Sequence, residues 1–153
     1  MELRRLLSED VICASVQADK RDDALRELLS LFVKSGSVSE EQLAPILKAL
    51  LRREKLGSTA VGKGMAVPHA RVDDIPSTLM ALGVSKQGVE FRALDREPVH
   101  GIFLVIGPEK DADEYIDVLR RISSLIQNPD FRRFLFRSQT GAEVLELVAE
   151  MDV

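Results

Sequence analysis

The longest purely apolar stretch of the second half of the chain lies at residues 102–106, IFLVI, and ends at Gly107-Pro108. A short continuous apolar run that stops at turn residues is typical of a strand buried on both faces. A second run of this kind lies at residues 79–84, and segments with helical spacing flank the two runs. The sequence therefore predicts an α/β fold in which helices cover both faces of a central sheet.

Five segments space their apolar residues as amphipathic helices do. They lie at residues 20–35, 39–53, 115–126, 128–135 and 140–151. The expected N-terminal caps are Asp19, the capping-box pair Ser39 and Gln42, either Asp111 or Asp113, and Thr140. Pro45 removes a backbone hydrogen bond from the second segment, so we expect a kink there or a start nearer Ala44.

Two more stretches complete the predicted sheet. Residues 10–17, DVICASVQ, mix β-branched and small side chains and indicate a first strand. Gly88 and Asp95 are turn residues on either side of Phe91, which favours a hairpin around that residue.

The composition describes an ordinary soluble protein. A length of 153 residues, with 45% apolar and 30% charged residues, fits one domain spanning residues 1–153. The formal net charge of −4 gives no reason to expect nucleic acid as the main partner. No apolar run approaches the roughly 18 residues of a membrane span, and the N-terminal residues lack a signal-peptide core, so a cytoplasmic protein is expected. The single cysteine, Cys13, excludes an intramolecular disulfide and is expected to serve in packing.

The candidate chemistry is concentrated at residues 53–71, REKLGSTAVGKGMAVPHAR. Pro68 fixes its own φ and favours an extended Val67, so it limits how the chain enters His69. Three glycines in this stretch permit φ > 0 and a close approach of backbone N–H groups to an anion. They are Gly57, Gly62 and Gly64. An anion-binding loop beside His69 is therefore expected.

Two better-known glycine motifs do not fit this stretch. A P-loop requires Ser or Thr after its lysine, to bind magnesium, but Gly64 follows Lys63. A dinucleotide fingerprint requires a third glycine where Val67 stands. The sequence thus argues against both kinds of nucleotide site, and no cofactor is predicted.

The interpretation that fits best is a histidine nucleophile that accepts a phosphoryl group. Imidazole has a reference pKa of about 6.5, so much of it is neutral and nucleophilic near pH 7. Phosphoryl transfer needs mainly positioning and positive charge, and a guanidinium fork at Arg53 could supply both to a group on His69. Ser58 and Thr59 could donate further hydrogen bonds. Secondary candidates for the same task are Lys63 and Arg71.

Simpler roles remain open for these residues. Arg53 could neutralise the C-terminus of its helix, and Ser58 and Thr59 could be turn residues or caps. A histidine can also bind a metal ion, but no cysteine or nearby second histidine completes a ligand set with Asp73 and Asp74. No metal is therefore predicted. His100 begins the apolar run and fits no motif, so a structural role is expected for it.

The glycine-rich stretch also resembles a family signature without a gap. The matching residues are Arg53-Glu54, Gly57-Ser58-Thr59, Gly62, Gly64, Ala66 and Pro68-His69. They resemble the IIA proteins of the bacterial phosphoenolpyruvate-dependent sugar phosphotransferase system (PTS EIIA type 2, the fructose/mannitol class), and especially the free-standing nitrogen-regulatory IIA proteins. The resemblance implies a mannitol-type IIA fold, which is a single domain with a mixed central sheet of about five strands. It also implies that His69 is phosphorylated by a small histidine-phosphorylated carrier protein of the HPr type, with Arg53 as the neighbouring active-site arginine.

One position departs from the family pattern. Members usually carry a second histidine that opens the helix after the fifth strand, followed by an aliphatic residue, two variable residues and Leu. The matching run here is residues 115–119, YIDVL, so Tyr115 stands where that histidine would be. A phenol can donate a hydrogen bond to a phosphoryl oxygen, but it cannot carry an imidazolium charge. A regulatory role, in which phosphorylation is the signal, tolerates this replacement better than onward transfer does.

The first functional hypothesis is therefore a phosphocarrier or regulatory IIA protein, a phosphotransferase component that acts on a IIB component or a regulated target. Supporting roles are expected for Ser58, Thr59, Gly62, Gly64, Pro68 and Tyr115. Three alternatives remain open: a sugar-specific IIA component, a non-catalytic interaction module with the same fold, and a ligand-binding or hydrolytic protein that uses His69 as a base.

Overall fold

In the computed structural model, which describes residues 2–152, six strands form one mixed sheet. The strands are β1 (Ile12–Cys13), β2 (Ala60–Gly62), β3 (Met65–Ala66), β4 (His69–Val72), β5 (Leu79–Val89) and β6 (Val99–Pro108). The α-helices are α1 (Arg21–Lys34), α2 (Glu40–Lys55), α3 (Asp113–Ile126), α4 (Pro129–Arg137) and α5 (Gly141–Met151). Two short 3₁₀ turns, Leu3–Leu6 and Glu9–Val11, precede β1.

The long strand β6 is the centre of the sheet, as its apolar run predicted. It pairs antiparallel with β5 on one side, and the parallel strands β3 and β4 share its other side. β3 lies beside the first half of β6 and β4 beside the second half. β2 extends the sheet beyond β3, and β1 extends it beyond β5. The predicted mixed α/β sheet is confirmed, with six strands where about five were expected.

Helices cover both faces of this sheet. A side chain added at Gly83 of β5 would meet Leu28 of α1, whereas one added at Gly101 of β6 would meet Leu135 of α4. The β5–β6 register pairs Gly83 with Ile102 and Val84 with Gly101, so the two glycines face opposite sides of the sheet. One layer therefore contains α1 and α2, and the other contains α3, α4 and α5.

The first strand is shorter than the predicted residues 10–17. Only Ile12 and Cys13 pair with β5 as a ladder, since residues 9–11 form a 3₁₀ turn. Further along, the backbone N–H groups of Gln17 and Ala18 donate to the carboxylate of Glu27 on α1. The Val16 N–H still donates to the Val84 carbonyl of β5, so a side-chain acceptor takes the place of a strand partner only from Gln17 onward.

The second helix runs without a break through Pro45, from Glu40 to Lys55. Of the two expectations, the start near Ala44 is therefore wrong and the kink at Pro45 stays a prediction, whereas the capping box at Ser39 and Gln42 is present. The Ser39 N–H donates to Gln42 Oε1 at 2.8 Å. This cap and the burial of the helix's apolar face outweigh the one hydrogen bond that Pro45 removes.

The predicted caps have mixed outcomes. Thr140 accepts from the Glu143 N–H, as predicted. Asn128, at the predicted start of α4, also caps its helix, with Pro129 at the first position. The expected caps of α1 and α3 are wrong, because Lys20 and Ala112 occupy those positions without a side-chain capping bond. The hairpin around Phe91 is confirmed as the connection between β5 and β6, with Phe91 buried. Within the described residues, no helix combines the length and apolarity that crossing a bilayer requires.

Candidate active site

His69 is the first residue of β4, and its imidazole ring is half-buried. Its Nδ1 lies 2.7 Å from the carbonyl oxygen of Val67. A carbonyl oxygen can only accept a hydrogen bond, so Nδ1 must carry the proton of the neutral ring. The other nitrogen, Nε2, then holds the lone pair. The ring is thus fixed in one tautomer, with the lone pair on Nε2.

The backbone that carries the histidine is fixed by the sheet. Pro68 is buried, and its carbonyl accepts the N–H of Val105 at 3.0 Å. The next pair in the ladder is His69 with Val105, followed by Ala70 with Ile106. Side chains alternate between the two faces of a sheet, so His69 projects toward the α3 layer and Ala70 toward α2. The Pro68-His69 pair therefore aims the imidazole, as the sequence predicted.

Tyr115 lies next to His69, at the start of α3. The two ring centroids are 6.3 Å apart, with an interplanar angle of 52°. The tyrosine ring rests on Gly107 of β6, where any Cβ would overlap its Cβ, Cγ and Cδ1 atoms. Burial raises the pKa of Tyr115 to about 12, against the opposing charges of Arg71 and Arg53. The phenol is therefore neutral near pH 7 and can act as a hydrogen-bond donor.

Arg53 reaches this region from the last turn of α2. Its Nη1 donates to the carbonyl of Gly57 at 2.8 Å, so the guanidinium turns back over the loop that follows the helix. Its charge opposes the increase in the Tyr115 pKa, which puts it within electrostatic reach of that hydroxyl group. The structure thus brings the predicted arginine, tyrosine and histidine to the same end of the sheet.

Arg71, a secondary candidate in the sequence, belongs to the same cluster. It lies two residues after His69 on β4, opposite Gly107 of β6. Its Nε donates to the carbonyl of Pro108 at 3.2 Å, and a terminal nitrogen donates to the carbonyl of Glu109. Its charge also reaches Tyr115, where it opposes the increase in the tyrosine pKa more strongly than the charge of Arg53 does.

Ser58 and Thr59 use their hydroxyl groups to hold the loop. The Thr59 N–H and Oγ1 both donate to the buried carboxylate of Glu54, at 3.1 and 2.5 Å. The Ser58 Oγ donates to the carbonyl of Phe91 and accepts from the Ala60 N–H. The structure therefore gives these hydroxyl groups internal partners, and they position the segment between Arg53 and the sheet.

The other two glycines of the stretch lie away from the histidine. Gly62 and Gly64 flank Lys63 at the tip of the β2–β3 hairpin, and all three residues have positive φ. The Gly64 carbonyl accepts from the N–H groups of His100 and Gly101 at the start of β6. Because β4 pairs His69 with Val105, four residues further along β6, the tip is about 13 Å from His69 along the strand. The expected cradle of glycine amides around His69 is not formed by Gly62 and Gly64.

The two aspartates that were considered as metal ligands together with His69 lie beyond the strand that carries this histidine. Asp73 and Asp74 are exposed in the turn after β4, and Asp74 has positive φ. A hydrogen bond and the charge of Asp73 raise the pKa of Glu109, and Arg71 opposes that increase. Among residues 2–152, no group of three or more His, Cys, Asp or Glu side chains is arranged to hold a metal ion.

Three contributions to the site were not recognised in the sequence. Gly107 was interpreted only as the end of a strand, yet its missing side chain makes room for Tyr115. Glu54 was noted only as part of the family signature. Its neighbours in the sequence are charged, so nothing local indicated that its side chain is buried. The Val67 carbonyl could not be assigned as an acceptor before the turn at Pro68 was known.

Comparison with known proteins gives the family. The family model described as "Phosphoenolpyruvate-dependent sugar phosphotransferase system, EIIA 2" matches residues 5–151. The PTS system fructose-specific EIIABC component of Bacillus subtilis is 26% identical over 152 residues, which cover 99% of this chain and 24% of that protein. This chain therefore spans about a quarter of the length of that relative.

Solved structures share the fold over nearly the whole chain. The crystal structure of the nitrogen regulatory protein IIA-Ntr from Neisseria meningitidis has a TM-score of 0.86 and 27% identity, and covers 95% of this chain and 98% of its own. The complex of the mannitol enzyme IIA with phosphorylated enzyme IIB from Escherichia coli matches with a TM-score of 0.77 and 24% identity, covering 94% and 97%. The second likeness concerns the fold alone. With the family match over residues 5–151, these findings show that the chain belongs to the EIIA type 2 family of the phosphoenolpyruvate-dependent sugar phosphotransferase system.

Proposed function

We propose that His69 is the phosphorylated residue of this EIIA protein and that Nε2 is the nitrogen that receives the phosphoryl group. The observation that carries the proposal is the 2.7 Å contact between Nδ1 and the Val67 carbonyl, which leaves Nε2 as the free nucleophile. Tyr115 lies beside this ring and supplies a hydrogen-bond donor, and Arg53, whose charge reaches the Tyr115 hydroxyl group, supplies a permanent cation. In this proposal, residues 1–153 are one EIIA domain.

No proton moves between the two proteins during the transfer. The Nε2 lone pair of His69 attacks the phosphorus of a protonated phosphohistidine on the donor, and the P–N bond of the donor breaks. The electron pair of that bond returns to the donor imidazole, which leaves as a neutral ring. His69 becomes a phosphoimidazolium whose Nδ1–H still donates to the Val67 carbonyl. That hydrogen bond is now charge-assisted, so it stabilises the product.

The surrounding residues act by position and charge. Phosphoryl transfer depends mainly on alignment and on neutralising the equatorial oxygens, and Arg53 provides a guanidinium group for this purpose. The Tyr115 hydroxyl can donate one hydrogen bond to a phosphoryl oxygen. Glu54, Thr59 and Gly107 support these groups without contacting the phosphoryl group themselves.

The partners follow from the family. The donor in this proposal is a histidine-phosphorylated carrier of the HPr type, and the acceptor is a IIB component or a regulated target protein. A shared fold with the enzyme IIA of the mannitol IIA–IIB complex supports the IIB partner. The likeness to a nitrogen regulatory IIA protein supports a regulatory output. A cytoplasmic location belongs to the same proposal, because such a carrier is phosphorylated from phosphoenolpyruvate inside the cell.

The test is phosphorylation in a reconstituted system. Purified protein is incubated with phosphoenolpyruvate, the general phosphotransfer enzyme and the histidine carrier, and its intact mass is measured before and after acid treatment. We expect one acid-labile phosphoryl group on the wild type. We expect none on His69→Asn, which keeps a donor near the Val67 carbonyl but lacks Nε2.

The chain offers a matched control in its other histidine. His100 also has Nδ1 bonded to a backbone carbonyl, that of Ser85 at 2.8 Å. His100→Asn should therefore be phosphorylated like the wild type. A phosphoryl group that persists on His69→Asn, or no group on any of the proteins, would refute the proposal. Long-range ¹H–¹⁵N correlation spectra of the phosphorylated protein then identify the modified nitrogen.

One observation favours a signalling output over rapid relay. The Tyr115 phenol brings no positive charge near pH 7 to a site that must also release the phosphoryl group. We expect slow transfer from the wild type to a IIB component and faster transfer from Tyr115→His. Equal rates for the two proteins would show that this tyrosine does not limit onward transfer.

A further inference from the structure

The row of side chains that contains His69 also contains a second cation. His69 and Arg71 lie two residues apart on β4, opposite Val105 and Gly107 of β6. Side chains two residues apart on a strand project from the same face, with Cα atoms about 7 Å apart. Both residues therefore face the α3 layer, and the Tyr115 ring covers the space above Gly107 between β6 and α3.

The guanidinium of Arg71 is held by backbone carbonyls at the end of β6. Nε donates to Pro108 and a terminal nitrogen donates to Glu109, so two of its five N–H donors are used. Among residues 2–152, Arg71 forms no ion pair, whereas Arg21 and Arg121 are paired with carboxylates. The charge of Arg71 opposes the increase in the pKa of Glu109, an increase caused mainly by the neighbouring Asp73 carboxyl group.

Arg53 has the same kind of anchor. Its described contact is with the carbonyl of Gly57, and it too forms no ion pair within the part of the chain that the structure describes. A carbonyl fixes a guanidinium without cancelling its charge, which leaves the charge available to an anion. Two such arginines lie within electrostatic reach of the same Tyr115 hydroxyl.

We propose that Arg71 is a second phosphoryl-binding cation of the His69 site, anchored by the strand-end carbonyls of Pro108 and Glu109 so that its remaining N–H donors contact the phosphoryl group. The inference rests on the proposed function and adds a residue to it. Two guanidinium groups then face a dianion beside a tyrosine that contributes only a neutral hydrogen bond. Arg71 thus contributes positive charge that Tyr115 does not.

The test compares Arg71→Gln and Arg71→Lys with the wild type in single-turnover phosphorylation by the carrier. Arg71→Gln should lower the rate by about 10²-fold, the effect of losing one preorganised donor to a developing anion. Arg71→Lys keeps a cation but not the planar fork, so its rate should be intermediate. The matched control is Arg132→Gln, because Arg132 on α4 is also anchored to a carbonyl, that of Ile126 at 2.6 Å.

A small phosphoryl donor distinguishes an effect of Arg71 on phosphoryl transfer from an effect on binding of the carrier protein. Phosphoramidate carries no protein surface, so Arg71→Gln should slow phosphorylation by phosphoramidate as strongly as phosphorylation by the carrier. An unchanged phosphoramidate rate in this variant, whatever the carrier does, would overturn the proposal. So would a rate of Arg132→Gln that falls as far as that of Arg71→Gln, since the loss would then be structural.

Thermal unfolding is measured for each variant. If Arg71→Gln does not fold, the phosphoramidate rate of Arg71→Lys decides: a reduced rate in a folded protein supports the proposal, and a wild-type rate overturns it. Failure of the proposed function is distinguishable from failure of this inference. Absence of carrier-dependent labelling on the wild type would refute the former, whereas the comparison of variants with phosphoramidate tests the latter.

Discussion

The two histidines of this chain differ less in their own geometry than in their surroundings. His69 is on β4, next to β6, and His100 is on β6 itself. Both are half-buried, and both have Nδ1 bonded to a backbone carbonyl, that of Val67 for His69 and that of Ser85 for His100. His100 packs against the Phe136 ring at 5.7 Å, with the backbone of Gly64 and Gly88 against its own ring. His69 instead lies near a tyrosine that two arginines reach electrostatically.

A fixed tautomer alone does not make a phosphoryl site. A carbonyl-bound Nδ1 leaves Nε2 nucleophilic in both rings, but a dianion on His100 would meet an aromatic ring and a hairpin tip. A dianion on His69 would meet carbonyl-anchored guanidinium groups at the other end of the same strand. We infer that the cations at that end distinguish the two rings.

Removing a cation that is present at His69 but not at His100 should have the strongest effect. Arg53→Gln should lower the single-turnover rate of phosphorylation by roughly 10²-fold, because a charged donor to the phosphoryl oxygens is lost. The matched control is Arg52→Gln, the neighbouring exposed arginine on α2, which should keep the wild-type rate. Similar losses in both variants would mean that only the general basic charge of the helix end matters.

A steric change should give the next largest effect. In Gly107→Ala, the new methyl group would overlap the Tyr115 ring, and overpacking of this kind costs about 1–3 kcal/mol in the free energy of unfolding. Urea denaturation measures that cost, and the phosphorylation rate should fall as the tyrosine is displaced. Gly141→Ala is the control, since its methyl group would meet only ordinary contacts with Ile12 and Glu9. Stability equal to the wild type in Gly107→Ala would show that the ring moves freely.

A smaller effect is expected on the pKa of Tyr115, and titration of this residue distinguishes the charge of Arg71 from that of Arg53. Tyr115 is the only tyrosine, so tyrosinate absorbance should report a midpoint near pH 12 from this residue alone. Arg71→Gln should raise the midpoint more than Arg53→Gln, because Arg71 opposes the increase in pKa more strongly. The reverse order would give Arg53 the larger charge effect at this hydroxyl group.

The same shift predicts how stability depends on pH. Between about pH 10 and about pH 12, unfolded tyrosine loses its proton while folded Tyr115 keeps it, so the folded state binds more protons. The contribution of Tyr115 to stability is therefore present in full below about pH 10 and is lost as the pH rises toward 12. Urea denaturation at several pH values should show this decline in the wild type and a smaller one in Tyr115→Phe.

The sequence predicted those elements whose signals are local. The apolar run of β6, the capping box at Ser39 and the start of α4 at Asn128-Pro129 depend on residues close together in the chain, and all three predictions are confirmed. The predicted strand at residues 10–17 is present only as Ile12–Cys13, and Glu27, which belongs to a helix, accepts the N–H groups of Gln17 and Ala18 near its predicted end. Local propensity does not describe such a distant partner.

The candidate site divides in the same way. The Pro68-His69 pair and the family signature indicated the histidine and Arg53 directly from the sequence. The glycine cradle was expected because Gly62 and Gly64 are near His69 in the chain, but the hairpin directs them to the opposite end of β6. Arg71 and Gly107 become neighbours only through the parallel register of β4 and β6. Long-range register was the part that sequence reasoning could not supply.

The register of β4 on β6 also determines how misfolding would affect the site. Strand β4 has only four residues, and His69 and Arg71 share one face of it because both are at odd-numbered steps of the ladder. A slip of one residue along β6 would turn both side chains toward α2 at once, because alternate residues point to opposite faces. Misalignment would therefore remove nucleophile and cation together. A molecule with this misalignment would therefore accept no phosphoryl group, whereas loss of the cation alone would only slow the reaction.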